Sequence, residues 1–253
     1  KTFCELINNG TKNYSGEYVK LMADIDASEA MAGSSESNSF QGTFLGNGHT
    51  LTFTVDRDWL NNYTNAEEYC APFRFVKDAT IKELKVEGYI YTSKLYAGGL
   101  VSHSDGTTNV IDCQVGTRIN SKEEESNVQY GYHGGIVGKA KNTLNITGCV
   151  FNGVILAAVN EYHYNYRPCG GFVGYNDNAD ISITNSLFAP IEASSNKITN
   201  GSTFVNGGSA TLINCYYTET MGSAQGSQVS PISAGDGVTV AIADAVSSEY
   251  SIS

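Results

Sequence analysis

Side chains able to move protons or hold metals are few and badly spaced for it. The histidines are His49, His103, His133 and His163. None stands in His-Glu-x-x-His, the spacing that puts two zinc ligands and a general base on one helix face. The cysteines Cys4, Cys70, Cys113, Cys149, Cys169 and Cys215 include no Cys-x-x-Cys pair, so neither a zinc ribbon nor a dithiol redox centre is indicated. Ser102-His103-Ser104-Asp105 holds the residue types of a hydrolytic triad, but adjacency is not triad geometry, and a polar turn is the expectation. There is no Gly-x-Ser-x-Gly elbow and no Walker loop. Asn176-Asp177-Asn178-Ala179-Asp180 is dense enough in oxygens to offer a Ca²⁺ cage, yet reads better as an Asx-rich turn. Glu123-Glu124-Glu125 is expected as a solvated loop. No catalytic residue, metal site or cofactor is assigned on these grounds.

Aromatic residues carry more promise. Two segments between apolar stretches are rich in tyrosine: Tyr130-Gly131-Tyr132-His133, and Tyr162-His163-Tyr164-Asn165-Tyr166-Arg167. In extended chain Tyr162, Tyr164 and Tyr166 point to one side. Such a patch, with His and Arg beside it, suits a sugar ring or a partner's apolar anchor. The ligand-binding expectation therefore falls on Tyr130, Tyr132, His133, Tyr162, His163, Tyr164, Tyr166 and Arg167. The alternative is that these tyrosines only shield the flank of the domain. Trp59, the sole tryptophan, lies in another loop and is a second candidate.

What must position these loops is an internal repeat. Gly98-Gly99-Leu100-Val101-Ser102 recurs as Gly134-Gly135-Ile136-Val137-Gly138 and as Gly170-Gly171-Phe172-Val173-Gly174, 36 residues apart each time. A degenerate copy follows at Ser202-Thr203-Phe204-Val205-Asn206, and Phe73-Arg74-Phe75-Val76 is a divergent earlier one. A second apolar segment follows each copy and aligns on Leu84, Cys113, Cys149, Ser186 and Cys215. Three residues earlier stand Ile81, Val110, Ile146, Ile183 and Leu212; two residues later stand Val86, Val115, Phe151, Phe188 and Tyr217. The two-residue step is strand period. The three-residue step marks a bend or bulge. One such unit cannot bury its apolar side alone, whereas stacked units can, with strand spacing between equivalent residues. A parallel β-helix is expected rather than a propeller, which needs about four strands per blade. Its cysteines are expected as free thiols on a crowded inner wall, a Cys113–Cys149 disulfide being the alternative.

The ends differ from the middle. Phe3, Leu6 and Ile7 at helical spacing before Asn8-Asn9-Gly10 predict a short capping helix. Glu17 to Ile25 reads as one strand, and Thr50 to Phe53 as another entered through Asn47-Gly48. Residues 1–221 are read as the repeat domain and 222–253 as a linker with a hairpin, or the start of a following extracellular module.

The 253-residue chain has 15 Lys and Arg against 26 Asp and Glu, a net charge of −11, so it lacks the basic footprint of a nucleic-acid binder. No apolar run reaches the ~18 residues of a membrane span. Low charge and 16 tyrosines suit an exported protein. The missing initiator Met reads as a mature product or a cut piece.

Gly-Gly-Ile-Val-Gly at 134–138, with its copies, resembles the GLUG motif. That motif occurs in surface proteins and adhesins of gut-associated bacteria and in the non-catalytic part of some immunoglobulin A-cleaving metallopeptidases. The segments 16–26 and 40–53 are similar to the first coil of those domains. The 202–206 copy departs by losing both glycines, and the earliest copy has Ala71-Pro72 in their place. The resemblance implies a right-handed parallel β-helix and an extracellular, cell-surface or secreted setting. The expectation is an all-β fold of about six coils, a monomer within a larger chain. It is expected to act as a non-enzymatic adhesion module for a glycan or host surface protein. A stalk, or an accessory region of a secreted peptidase, is the second expectation, and a carbohydrate-active β-helix enzyme the third.

Overall fold

The computed structural model describes residues 2–55, 69–92, 95–121, 131–156, 168–191 and 201–229, with the backbone strands Ile232–Ala234 and Val238–Val240. Among them the fold is all-β with one short helix, Thr2–Asn8. Apart from the last two, the strands form parallel sheets, and the pairing joins strands to their equivalents one repeat away. On one face the rungs are Val19, Phe44, Ile81, Val110, Ile146, Ile183 and Leu212 in continuous register. On the next they are Ile25, Leu51, Val86, Val115, Phe151, Phe188 and Tyr217. A separate four-stranded sheet carries Phe73–Lys77, Val101–Asp105, Val137–Ala140 and Val173–Asn176. The degenerate copy keeps register, since Gly170 bridges Ser202 and Val173 bridges Val205. A last parallel pair joins Tyr216–Tyr217 to Ser227–Gln228, while Ile232–Ala234 and Val238–Val240 pair antiparallel.

Sterics explain the Gly-Gly pairs. The first glycine of each copy folds under a carbonyl three residues on: a Cβ at Gly98, Gly134 or Gly170 would overlap the oxygen of Val101, Val137 or Val173. The second faces the opposite wall. A Cβ on Gly135 would stand 2.6 Å from the Phe151 ring, and one on Gly171 2.7 Å from Phe188. None of these glycines has positive φ, so space rather than backbone freedom demands them.

The three-residue step is a bend in the left-handed region. Glu83, Asp112, Gly148, Asn185 and Asn214, one per repeat, have φ between 50° and 67°. Asn, Asp and Gly tolerate that region best. The next residue closes the bend. Cys113 and Cys149 donate their thiols to the carbonyls of Ile111 and Thr147 two residues back, at 3.3 and 3.4 Å, while the Cys215 thiol lies between the Ile213 carbonyl at 3.5 Å and the nearer Ile183 carbonyl of the neighbouring repeat at 3.2 Å. Ser186 donates to the Thr184 carbonyl, also two residues back, at 2.8 Å. Small side chains with one donor fit this buried wall; all four are 4% exposed or less. All six cysteines are free thiols. Burial pushes Cys169 and Cys215 up to about 11 and raises Cys149 well above its ordinary value.

The helix Thr2–Asn8 closes the first repeat. Phe3 meets Tyr14, Phe40 and Phe44 with ring centroids 5.2–5.9 Å apart. Gly10, at φ 73°, ends the turn, its N–H donating to the Ile7 carbonyl. Two expectations are corrected. The segment from Glu17 to Ile25 is two strands, Tyr18–Lys20 and Ile25–Asp26, because the chain passes there from one face to the next. Ser102 to Asp105 belongs to the strand Val101–Asp105, not to a turn.

Candidate functional site

Two rows of side chains meet along an outer corner. Tyr69, Tyr96 and Tyr132 are register partners on the short strands Tyr69–Cys70, Tyr96–Gly98 and Tyr132–Gly134. Phe75, His103, Lys139 and Tyr175 are partners on the four-stranded sheet. In-register parallel pairing puts like residues over one another, so the tyrosines stack. Tyr69 and Tyr96 have ring centroids 5.1 Å apart and planes 20° apart; Tyr96 and Tyr132 are at 5.8 Å and 14°. Tyr175 closes on Tyr132 at 4.7 Å and on Tyr96 at 5.8 Å. Offset contacts of this kind contribute about 0.5–1.5 kcal/mol per pair beyond burial.

A cation sits in this aromatic group. The Lys139 ammonium lies 5.2 Å from the Tyr96 ring centroid and 6.0 Å from that of Tyr175, and pairs with Asp177 at 3.0 Å. Partial burial is the largest single effect and disfavours the ammonium, but the hydrogen bond to Asp177, the charges of Tyr69 and Tyr96 and that of Asp177 together raise the Lys139 pKa. His103 is enclosed beside Tyr69 and Phe75 at 1% exposure, and neither ring nitrogen has a hydrogen-bond partner. Burial, then the Lys139 charge, pushes its pKa down to about 4. Glu36, on the Gly33–Ser39 stretch, reaches over the sheet to 3.8 Å from His103 and 3.7 Å from Lys141.

Of the residues predicted for binding, the described ones are Tyr132 and His133. Tyr132 is half-buried within the stack, next in sequence to the Tyr130 segment. His133 turns to the opposite face and is fully buried. Tyr130, Tyr162, His163, Tyr164, Tyr166, Arg167 and Trp59 lie outside the described residues. Sequence reasoning missed Tyr69, Tyr96, Lys139 and Tyr175. Tyr69, Tyr96 and Tyr132 share one rung, but Tyr69 precedes Tyr96 by less than a full 36-residue period, which hid the row.

The chemistry set aside above can be placed. Strand alternation puts His103 on the face opposite Ser102 and Ser104. Ser102 accepts the Cys70 N–H at 3.0 Å and donates to the Tyr96 carbonyl at 2.8 Å. Asn176 Oδ1 accepts the Ala179 N–H three residues on at 2.6 Å, and Asn178 has φ 57°, so the segment is an Asx-rich turn. Among the described residues no three His, Cys, Asp or Glu side chains converge to hold a metal, and no helix is long and apolar enough to cross a membrane.

No protein-family model and no curated protein sequence matches the chain. Among solved structures, the chain is similar to one from Bacteroides ovatus described as a "putative immunoglobulin A1 protease". The identity is 15% and the TM-score 0.47, over 85% of this chain and 78% of that one.

Proposed function

We propose that the chain is a right-handed parallel β-helix of the GLUG type that serves as a non-enzymatic binding module, exported to the cell surface or secreted, for a glycan or host surface protein. The register supports the coil, because rungs such as Val86, Val115, Phe151 and Phe188 pair in one line. The carrying observation for binding is the stacked Tyr96–Tyr132–Tyr175 corner with Lys139 set among the rings. Aromatic faces take the C–H side of a sugar or an apolar anchor, and the ammonium supplies a charged donor. The repeat region is read as ending near residue 221, with 222–253 as linker and hairpin, the linker still pairing in parallel with the last repeat strand at Ser227–Gln228.

A glycan array and a host-cell adhesion assay on the wild-type chain and the Tyr132→Ala/Tyr175→Ala double variant test this. Binding that falls at least tenfold, with thermal unfolding still cooperative, is expected. Undiminished binding, or no ligand for either form, refutes the reading. A stalk is the second reading, favoured by the closure of Tyr96, Phe75 and His103 to 8% exposure or less. It predicts that no ligand is found.

A further inference from the structure

On a different face the structure holds a groove that the tyrosine corner does not involve. It is half open, offers about 330 Å³, and is lined by Lys85, Glu87, Gln114, Gly116, Asn152 and Ile191, with Val86 and Gly88 between them. Register makes it a product of stacking. Gln114 pairs with Lys85 and Val150, Val115 with Val86 and Phe151, so Glu87, Gly116 and Asn152 follow one another along the next row. At strand spacing of ~4.8 Å, three such rows run on the order of 10 Å across the coils.

Gly116 leaves its place in the lining without a side chain, and nothing in the backbone requires glycine there. Its φ is not positive, and a Cβ would meet no backbone closer than Val86 O at 3.7 Å. Neighbouring Gly88 and Gly153 differ, since a Cβ on either would overlap the carbonyl of Phe53 or Thr117. The group a Gly116 Cβ would approach, at 3.3 Å, is Asn152 Oδ1. That oxygen is out of solvent and has no hydrogen-bond partner. A buried acceptor left unpaired is costly, and native folds keep few of them. Asn152 itself is part exposed, and the last torsion of an asparagine is broad, so a turn of the amide would present the oxygen to a ligand.

The lining selects the ligand. One cation, Lys85, and one carboxylate, Glu87, leave it without net charge, which favours a neutral ligand over an anion. Gln114 and Asn152 each offer a donor and an acceptor. Ile191, 70% exposed, supplies apolar contact at one wall. An extended peptide would need free backbone groups to add as a strand. Here the N–H groups of Gln114, Gly116 and Asn152 are already given to Leu84, Val86 and Val115 at 2.8–3.0 Å. We propose that this groove is a binding site for the hydroxyl groups of a neutral carbohydrate, read by the Gln114 and Asn152 amides over Gly116.

NMR titration of the whole chain with the methyl glycosides of mannose, glucose, galactose and N-acetylglucosamine tests it. At least one glycoside should shift the side-chain amide signals of Gln114 and Asn152 in a saturable way. Gly116→Leu should weaken that binding at least tenfold, and Tyr132→Ala should leave it unchanged, so this site and the tyrosine corner fail separately. Gln114→Ala, a change at a part-exposed position, reports the same loss if Gly116→Leu does not fold. Absence of saturable shifts with all four glycosides overturns the proposal, and so does undiminished binding in the folded Gly116→Leu or Gln114→Ala protein.

Discussion

Replacing glycine by alanine at two sites separates the demands of stacking from those of local backbone. In Gly135→Ala the new methyl would lie 2.6 Å from the Phe151 ring and closer still to the Gly171 carbonyl oxygen. Unbonded carbon contacts settle near 3.5–4.0 Å, so the neighbouring repeat must retreat by about 1 Å. Three hydrogen bonds cross that seam: Gly135 N–H to Gly170 O at 3.3 Å, Ile136 N–H to Phe172 O at 3.0 Å, and Val137 N–H to Phe172 O at 2.8 Å. Weakening two of them costs about 1 kcal/mol each, and overpacking against Phe151 adds ~1–3 kcal/mol. The expected loss is about 3–5 kcal/mol, a large share of the ~5–15 kcal/mol that holds a domain together. Gly116→Ala introduces the same methyl with its nearest atom at 3.3 Å and no unfavourable φ. Its effect should lie within about 1 kcal/mol, because alanine also restricts the unfolded chain. Urea denaturation followed by circular dichroism reads both variants. Equal midpoints for the two, at wild-type slope, would refute the steric reasoning.

Three further outcomes follow from the same geometry. Cys149→Ser should cost under about 1 kcal/mol, since Ser186 already closes the same bend one repeat on, whereas Cys149→Val, without a donor and bulkier, should cost more than about 2 kcal/mol in thermal unfolding. Acid should weaken the fold through His103: with a folded value of about 4 against about 6.5 unfolded, the folded state takes up the proton less readily. The stability present above pH 6.5 is therefore lost as pH falls towards 4, by about 3 kcal/mol, and His103→Phe should flatten a stability curve measured across that window. Alkali should act through the thiols: Cys169 and Cys215 at about 11 against 9.0 unfolded hold their protons more tightly when folded. Stability should then decline from pH 9 to 11 by about 3 kcal/mol per thiol, and Cys215→Ser should reduce that decline in the same denaturant titration.

The stacking order was legible in the residues because burial imposes it. Val86, Val115, Phe151, Phe188 and Tyr217 fall where a two-residue step from a small inner residue predicts, and they pair in one line. The bend before that residue was legible as an odd step, but its cause was not. Glu83, Asp112 and Asn214 do not look alike in sequence, and share only a left-handed φ. The role of the thiols was hidden for a similar reason: burial explains a cysteine without showing that it donates to the carbonyl two residues back. Outward rows were least legible. Phe75, His103, Lys139 and Tyr175 are register partners with no common chemistry, and their contact with Tyr69, Tyr96 and Tyr132 comes from two sheets meeting at a corner. The groove at Gly116 escaped for the opposite reason, because a lone glycine between the strands Gln114–Val115 and Arg118–Ser121 draws no notice until its neighbours are known.

Engineered disulfide trapping tests the in-register stack most directly. Asn109 and Asn145 are register partners, with Asn145 Nδ2 donating to Asn109 Oδ1 at 3.0 Å. Adjacent strands put their Cα atoms about 5 Å apart, within the reach of a disulfide. Asn109→Cys with Asn145→Cys should cross-link under mild oxidation, while Asn109→Cys with Thr143→Cys, two residues off register, should not. Cross-linking of the second pair in preference to the first would contradict the account.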